Sequence, residues 1–269
     1  MHKKENDRDN TTAHSTLVFA TLLLTGVLGG LVLLYPQLLI PTDTSVLVRF
    51  QNLRSPLTDS LVVGLTQLGD PEVIWPLSIT MFLYLAFIAR SKAAAATWAG
   101  AIAFAASFNS LIKWLVGRSR PTLLDYEGFT AFSFPSGHAT VNLTLYGVAA
   151  VLLWREIAPQ QRWSTAILLI LFGAAIAVSR LYLGAHWFSD VAASSLLAIA
   201  IVATAYRSYM PRRRTELHPG KLLAVLSLCL FVYGGAHIAR NHGEDVARYG
   251  AAHAGSPAPA SSTAAPAKP

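Results

Sequence analysis

The stretch SRLYLGAHWFSD, residues 179–190, places Arg180, His186 and Asp190 between two long apolar runs. His186 and Asp190 are four residues apart, so a helix starting near His186 puts them on one face. A carboxylate there accepts a hydrogen bond from one ring nitrogen, fixes the tautomer and leaves the other nitrogen as nucleophile or base. Taken alone, a histidine paired for packing explains the same pair. Two more clusters carry reactive side chains. KWLVGRSRP, residues 113–121, holds Lys113, Arg118 and Arg120 where another apolar run ends. PSGH, residues 135–138, opens a further run. In it Pro135 stops the preceding structure, Ser136 is a good N-cap and Gly137 lets the backbone approach a ligand. Free N–H groups at such a helix start suit an anion, although Ser136 as a plain cap also accounts for the string.

The elements that must position these groups belong to a membrane. The chain has 269 residues, of which 53% are hydrophobic and only 13% charged, with a mean hydropathy of +0.45. Ordinary soluble domains carry about 25% charged residues. The deficit indicates an all-α, polytopic membrane protein with one helical domain. A net charge of +7 fits loops anchored to an anionic leaflet; no soluble basic domain for nucleic acid is visible. Cys229 is the single cysteine, which excludes an intrachain disulfide and a cysteine-based metal site.

Residues 1–16 form a polar, mobile N-terminal tail. The uncharged run 17–40 is too long for a signal-peptide core and lacks a clear cleavage site, so it reads as a retained span. Residues 43–71 mix polar and apolar groups around Pro56 and predict two short interfacial helices. Apolar runs at 72–89, 94–116, 138–154, 164–183 and 187–206 each approach the ~20 residues of a bilayer-crossing helix. Together with 17–40 they make a six-span domain over 17–207, its motif-bearing core at about 60–207. A basic linker and a seventh span occupy 208–240, and 241–269 reads as a disordered Pro/Ala/Ser-rich tail. With alternating crossings, Lys3, Lys4, Arg8, Arg90, Lys92, Arg155, Arg162 and the group Arg207, Arg212, Arg213, Arg214 and Lys221 share one side. This richer side is expected to be cytoplasmic. All three clusters then fall on the opposite, outer surface.

Lys113, Arg120 and Arg180 near a bilayer need anionic partners, since a charge at a helix centre costs about 2.5–3.5 kcal/mol. Nearby acids are few: Asp125, Glu127 and Asp190. The anion therefore comes from outside, and phosphate suits guanidinium forks. Any one of these cations alone is explained by snorkelling at a helix end. A metal ion at His138, His186 and Asp190 would be repelled by the same cations.

Together, Lys113 with six residues before Arg120–Pro121, then Pro135-Ser136-Gly137-His138, then Arg180 with five residues before His186 and three before Asp190, resemble one signature. It is that of the type 2 phosphatidic acid phosphatase superfamily, which includes lipid phosphate phosphatases and vanadium haloperoxidases. All three motifs match in order, across about residues 60–207. The resemblance implies a six-helix core and a metal- and cofactor-independent reaction through a phosphohistidine. His186 would be the nucleophile, Asp190 its orienter and His138 the acid and then the base. Lys113, Arg120, Arg180, Ser136 and Gly137 would hold the phosphoryl oxygens. Arg118 is an extra cation, for a second phosphate or as an interfacial anchor.

The expected substrate is a lipid phosphate or diphosphate drawn from the bilayer. Undecaprenyl diphosphate stands first, ahead of phosphatidylglycerol phosphate, phosphatidate and diacylglycerol diphosphate. No motif marks a protein partner. A lipid phosphotransferase using the same triad and a non-catalytic phospholipid binder or transporter are the competing readings; binding alone needs neither nucleophile nor acid. The haloperoxidases of the superfamily are soluble, which sets this chain apart from them.

Overall fold

The computed structural model describes residues 2–121, 132–211 and 217–254, with side chains from Ser15 onward. All its regular elements among these are helices: α1 (His2–Leu34), α2 (Pro36–Gln51), α3 (Pro56–Gln67), α4 (Pro71–Leu83), α5 (Lys92–Val116), α6 (Gly137–Trp154), α7 (Pro159–Tyr182), α8 (Phe188–Tyr209), α9 (Pro219–Cys229) and α10 (Gly235–Ala254). Single π-helical turns extend α4 through Ile88 and join α9 to α10. Five helices open on proline, whose fixed φ suits the first turn and whose missing N–H is not needed there. Ser55 adds a reciprocal cap with Thr58 at the start of α3. Gly117 ends α5 in a left-handed conformation, φ 61°, its N–H reaching the carbonyl of Lys113. That turn directs the chain from Lys113 toward Arg118 and Arg120.

Among the described residues, seven segments are long and apolar enough to cross a bilayer: Ser15–Leu34, Pro56–Ile88, Lys92–Val116, Gly137–Trp154, Pro159–Tyr182, Phe188–Tyr209 and Pro219–His253. The protein is an integral membrane protein. α6 is the central helix, with 72% of its apolar window buried against 11% for α1. One buried apolar core joins Leu77 of α4, Trp98 of α5, Leu145 and Leu152 of α6, Ile176 of α7, Leu197 of α8 and Leu222 of α9. Phe19, Phe87, Trp114, Leu168 and Phe231 point outward. Lipid tails are as apolar as leucine, so helix association here depends on close packing and interhelical hydrogen bonds. Gly69 provides one such contact: a Cβ on it would lie 2.5 Å from Ile176 Cγ2 and 2.8 Å from Asn142 Nδ2. Instead Asn142 Nδ2 donates to the Gly69 carbonyl at 3.1 Å, clamping the α3–α4 junction onto α6.

Several boundaries depart from the sequence reading. The first span ends at Leu34, because Pro36 starts a new helix after Tyr35 leaves helical geometry. The polar stretch 1–16 is helical from His2 as a continuation of α1. The interfacial pair expected in 43–71 becomes α2 and α3, and α3 runs on into α4 as one 33-residue segment. The tail expected from residue 241 is helical to Ala254, because Val246 and Tyr249 pack against Val63, Tyr182 and Leu183. Asp125 and Glu127, the arginines 212–214 and residues 255–269 lie outside the described residues.

The segments Pro56–Ile88 and Pro219–His253, 33 and 35 residues long, would each measure about 50 Å as helix. The hydrocarbon core is about 30 Å thick, so both overreach it. Their excess lies in α3 and α10, which join through polar side chains: Ser60 Oγ to His242 Nε2 at 2.9 Å, and Gln67 Nε2 donating to Asp245 Oδ2 at 2.6 Å.

Candidate active site

One cavity of about 830 Å³ takes its lining from α4, α5, α6, α7, the α7–α8 turn and α10; Lys113, Arg120, Gly137, His138, Arg180 and His186 all face it. Three hairpin turns thus converge. His186 is 3% exposed, in the turn after α7, where its N–H and that of Ala185 bond the Arg180 carbonyl. Arg120 Nη1 donates to the Ala185 carbonyl at 2.7 Å and lies 3.2 Å from His186 Nε2. A guanidinium only donates, so Nε2 keeps its lone pair and the ring proton belongs on Nδ1. Burial first, then the charges of Arg120, Lys113 and Arg180 and the neighbouring His138, hold the imidazole well below its ordinary pKa. The neutral ring is the nucleophilic form.

Asp190, fully buried at the start of α8, has Oδ2 3.5 Å from His186 Nδ1, an ion-pair separation longer than a good hydrogen bond. Its short bonds go elsewhere: Oδ2 accepts the Trp187 N–H at 2.9 Å and Oδ1 accepts from Arg118 at 2.6 Å. Arg118 also donates through Nη2 to Asp43 Oδ2 at 2.7 Å, and its guanidinium lies 5.4 Å from the Trp187 ring centroid. The extra cation of the sequence reading is thus placed between two carboxylates, Asp43 and Asp190. Asp43, 1% exposed, also accepts from the Ser189 N–H and hydroxyl.

Ser136 makes its cap, accepting the Ala139 N–H, and is fully buried beside Ser194, whose hydroxyl bonds its carbonyl at 3.1 Å. Gly137 comes within 3.5 Å of Asn109 Oδ1, measured from a Cβ it lacks. Lys113, 8% exposed, donates to the Phe132 carbonyl. Arg180, 2% exposed, donates to Thr66 Oγ1 at 2.8 Å and Tyr249 Oη at 3.0 Å. His138 Nε2 lies 2.7 Å from Asp70 Oδ1.

Four side chains around this centre escaped sequence reasoning. Asp43 belonged to a stretch read as interfacial, and His237 and Tyr249 to a span and tail without an assigned role. Asp70 stands in the N-cap position before Pro71, yet its side chain makes no cap bond.

Residues 94–214 match the model of the PAP2 superfamily. Over 146 residues the chain is 25% identical to phosphatidylglycerophosphatase B of Bacillus subtilis, covering 52% of this chain and 69% of that one. Over 166 residues it is 28% identical to an undecaprenyl-diphosphatase of Sulfolobus acidocaldarius, covering 59% and 75% respectively. The crystal structure of the first transmembrane PAP2-type phosphatidylglycerolphosphate phosphatase from Bacillus subtilis superposes with a TM-score of 0.63 at 20% identity, over 73% of this chain and 98% of that one. The latter likeness is one of fold.

Proposed function

We propose that this chain, whose residues 94–214 match the PAP2 superfamily model, is a membrane-embedded member of that superfamily and a lipid phosphatase working through a phosphohistidine. The observation that carries the reading is the meeting of Lys113, Arg120, Arg180, His138 and a neutral His186 in one cavity. His186 Nε2 attacks the terminal phosphorus in line, and its P–O bond to the leaving group, a lipid alcohol from a monophosphate or a lipid phosphate from a diphosphate, breaks as His138 protonates that oxygen. Water then attacks the phosphorus, giving its proton to His138, and the P–N electron pair returns to His186. The fixed cations compensate the charge that spreads over the phosphoryl oxygens, a part that metal ions play in other phosphoryl-transfer sites. Ser136 and the Gly137 N–H, at the open end of α6, add donors on the same side. Arg118 is assigned to Asp190 rather than to a second phosphate, and through it Asp190 keeps station beside the nucleophile.

The substrate enters from the bilayer. An isoprenoid diphosphate such as undecaprenyl diphosphate is favoured, supported by the diphosphatase relative and by a cavity of about 830 Å³. Phosphatidylglycerol phosphate, supported by the Bacillus relative, is the competing head group, with phosphatidate after it. The test is phosphate release by the purified chain in detergent with excess chelator, across these lipids. Turnover is expected with chelator present, fastest on the diphosphate, and absent in His186→Ala. Turnover that survives His186→Ala, or vanishes with chelator, overturns the mechanism; transfer to a second lipid without free phosphate makes the chain a phosphotransferase.

A further inference from the structure

Asp70 lies at the junction of α3 and α4, outside the residues that match the superfamily model, and receives two imidazoles. His138 Nε2 is 2.7 Å from its Oδ1 and His237 Nε2, from α10, is 2.9 Å from its Oδ2. Asn241 Nδ2 lies 2.9 Å from His237 Nδ1. An amide nitrogen donates, so His237 Nδ1 accepts and Nε2 carries the hydrogen given to Asp70. An aspartate in an N-cap position ordinarily bonds the N–H groups of the first turn; Asp70 leaves that bond unmade and holds both rings instead. Asp70, Glu72 and His237 are spaced closely enough for a cation, but His237 Nε2 already serves as a donor, which favours a hydrogen-bonded relay.

We infer that Asp70 is the positioning residue for the acid–base histidine, His138, and that His237 with Asn241 holds Asp70 in place. The inference rests on the phosphatase reading above and deepens it. His138 works among Lys113, Arg120 and Arg180, surroundings that oppose the imidazolium a general acid requires. A carboxylate at hydrogen-bond distance offsets that opposition. It also fixes which nitrogen reacts: with Nε2–H held by Asp70, Nδ1 gives its proton to the lipid oxygen as the P–O bond breaks. Nδ1 later takes a proton from the attacking water as the P–N bond to His186 breaks. The site thus has two carboxylate–imidazole pairs, Asp190 with the nucleophile and Asp70 with the proton carrier. The C-terminal helix supplies the brace for the second.

Leaving-group dependence tests this in the full-length chain in detergent. Phosphatidate releases an alkoxide that must be protonated, whereas p-nitrophenyl phosphate releases a phenolate that needs little help. In Asp70→Asn, turnover of phosphatidate is expected to fall about 10²-fold, the scale of general acid–base catalysis. The initial burst of nitrophenolate should persist while later turnover slows, leaving phosphate on His186. Asp70→Glu should recover part of the loss, and His237→Gln should shift the ratio of first-turnover rates on the two substrates in the same direction by a smaller factor. Misfolding lowers both substrates together and cancels in that ratio. An unchanged ratio in Asp70→Asn and His237→Gln overturns the inference. A wild-type chain that forms no phosphoenzyme from either substrate instead sinks the phosphatase reading beneath it.

Discussion

Burial strips water from the His186 ring, and Arg120, Lys113, Arg180 and His138 surround it, so the folded protein binds a proton there less readily than the unfolded chain does. The sign follows from linkage. Above the ordinary imidazole pKa of about 6.5 neither state carries the proton and the residue adds no pH dependence. Below it the unfolded chain gains a proton that the native state refuses, and stability falls by up to about 1.4 kcal/mol per pH unit. Thermal unfolding in detergent from pH 7.5 to 5 should therefore show wild type losing stability relative to His186→Gln as the pH drops. A flat or opposite difference means that the folded ring is charged. At this scale the sequence was readable wherever spacing singles residues out: Lys113, Arg120, His138, Arg180 and His186, picked by their intervals, line one cavity, with Asp190 3.5 Å from His186. Asp43 and Asp70 were not readable, since each is a lone acid whose meaning arises only when Arg118 or His138 arrives from another helix.

Helices place those residues through a few close contacts. Gly69 sets the depth of Asp70 by letting the α3–α4 junction touch Ile176 and Asn142 on the neighbouring helices. Gly69→Ala is expected to destabilise the protein by about 1–3 kcal/mol, the cost of forcing volume into a packed interior, and to lower turnover as His138 loses its partner. Gly100→Ala, where nothing lies within 4 Å of the added methyl, should instead gain about 0.5–1 kcal/mol from reduced backbone freedom. Melting temperatures of the two variants in one detergent check the contrast. α10 shows why composition misled at this level. Its stretch NHGEDVARYGAAHA is polar enough to read as an unstructured end, but His242 and Asp245 find Gln67 while Tyr249 enters a small apolar cluster. Polar residues whose partners are polar residues of a distant helix leave no hydropathy signal.

Across the whole molecule, span alternation puts α1's start on one side and the cavity, α2 and the end of α10 on the other. From the positive-inside rule we propose that the cavity side faces the exterior. A cysteine introduced at Ala251, an exposed position near the end of α10, should react with an impermeant maleimide in intact cells, whereas one at Lys92 should react only after lysis; the reverse pattern inverts the orientation. Sequence alone could count the apolar runs but not the overreach of Pro56–Ile88 and Pro219–His253, because runs of 72–89 and 222–239 mark only what lipid covers. The pairing of α3 with α10 also has a bearing on biosynthesis. His237 and Tyr249 leave the ribosome after all three motif clusters have been translated, so a nascent chain threaded only as far as α8 holds His186 and His138 without the His237 contact on Asp70. On the mechanism proposed above, competence is thereby postponed until the final described helix has been inserted.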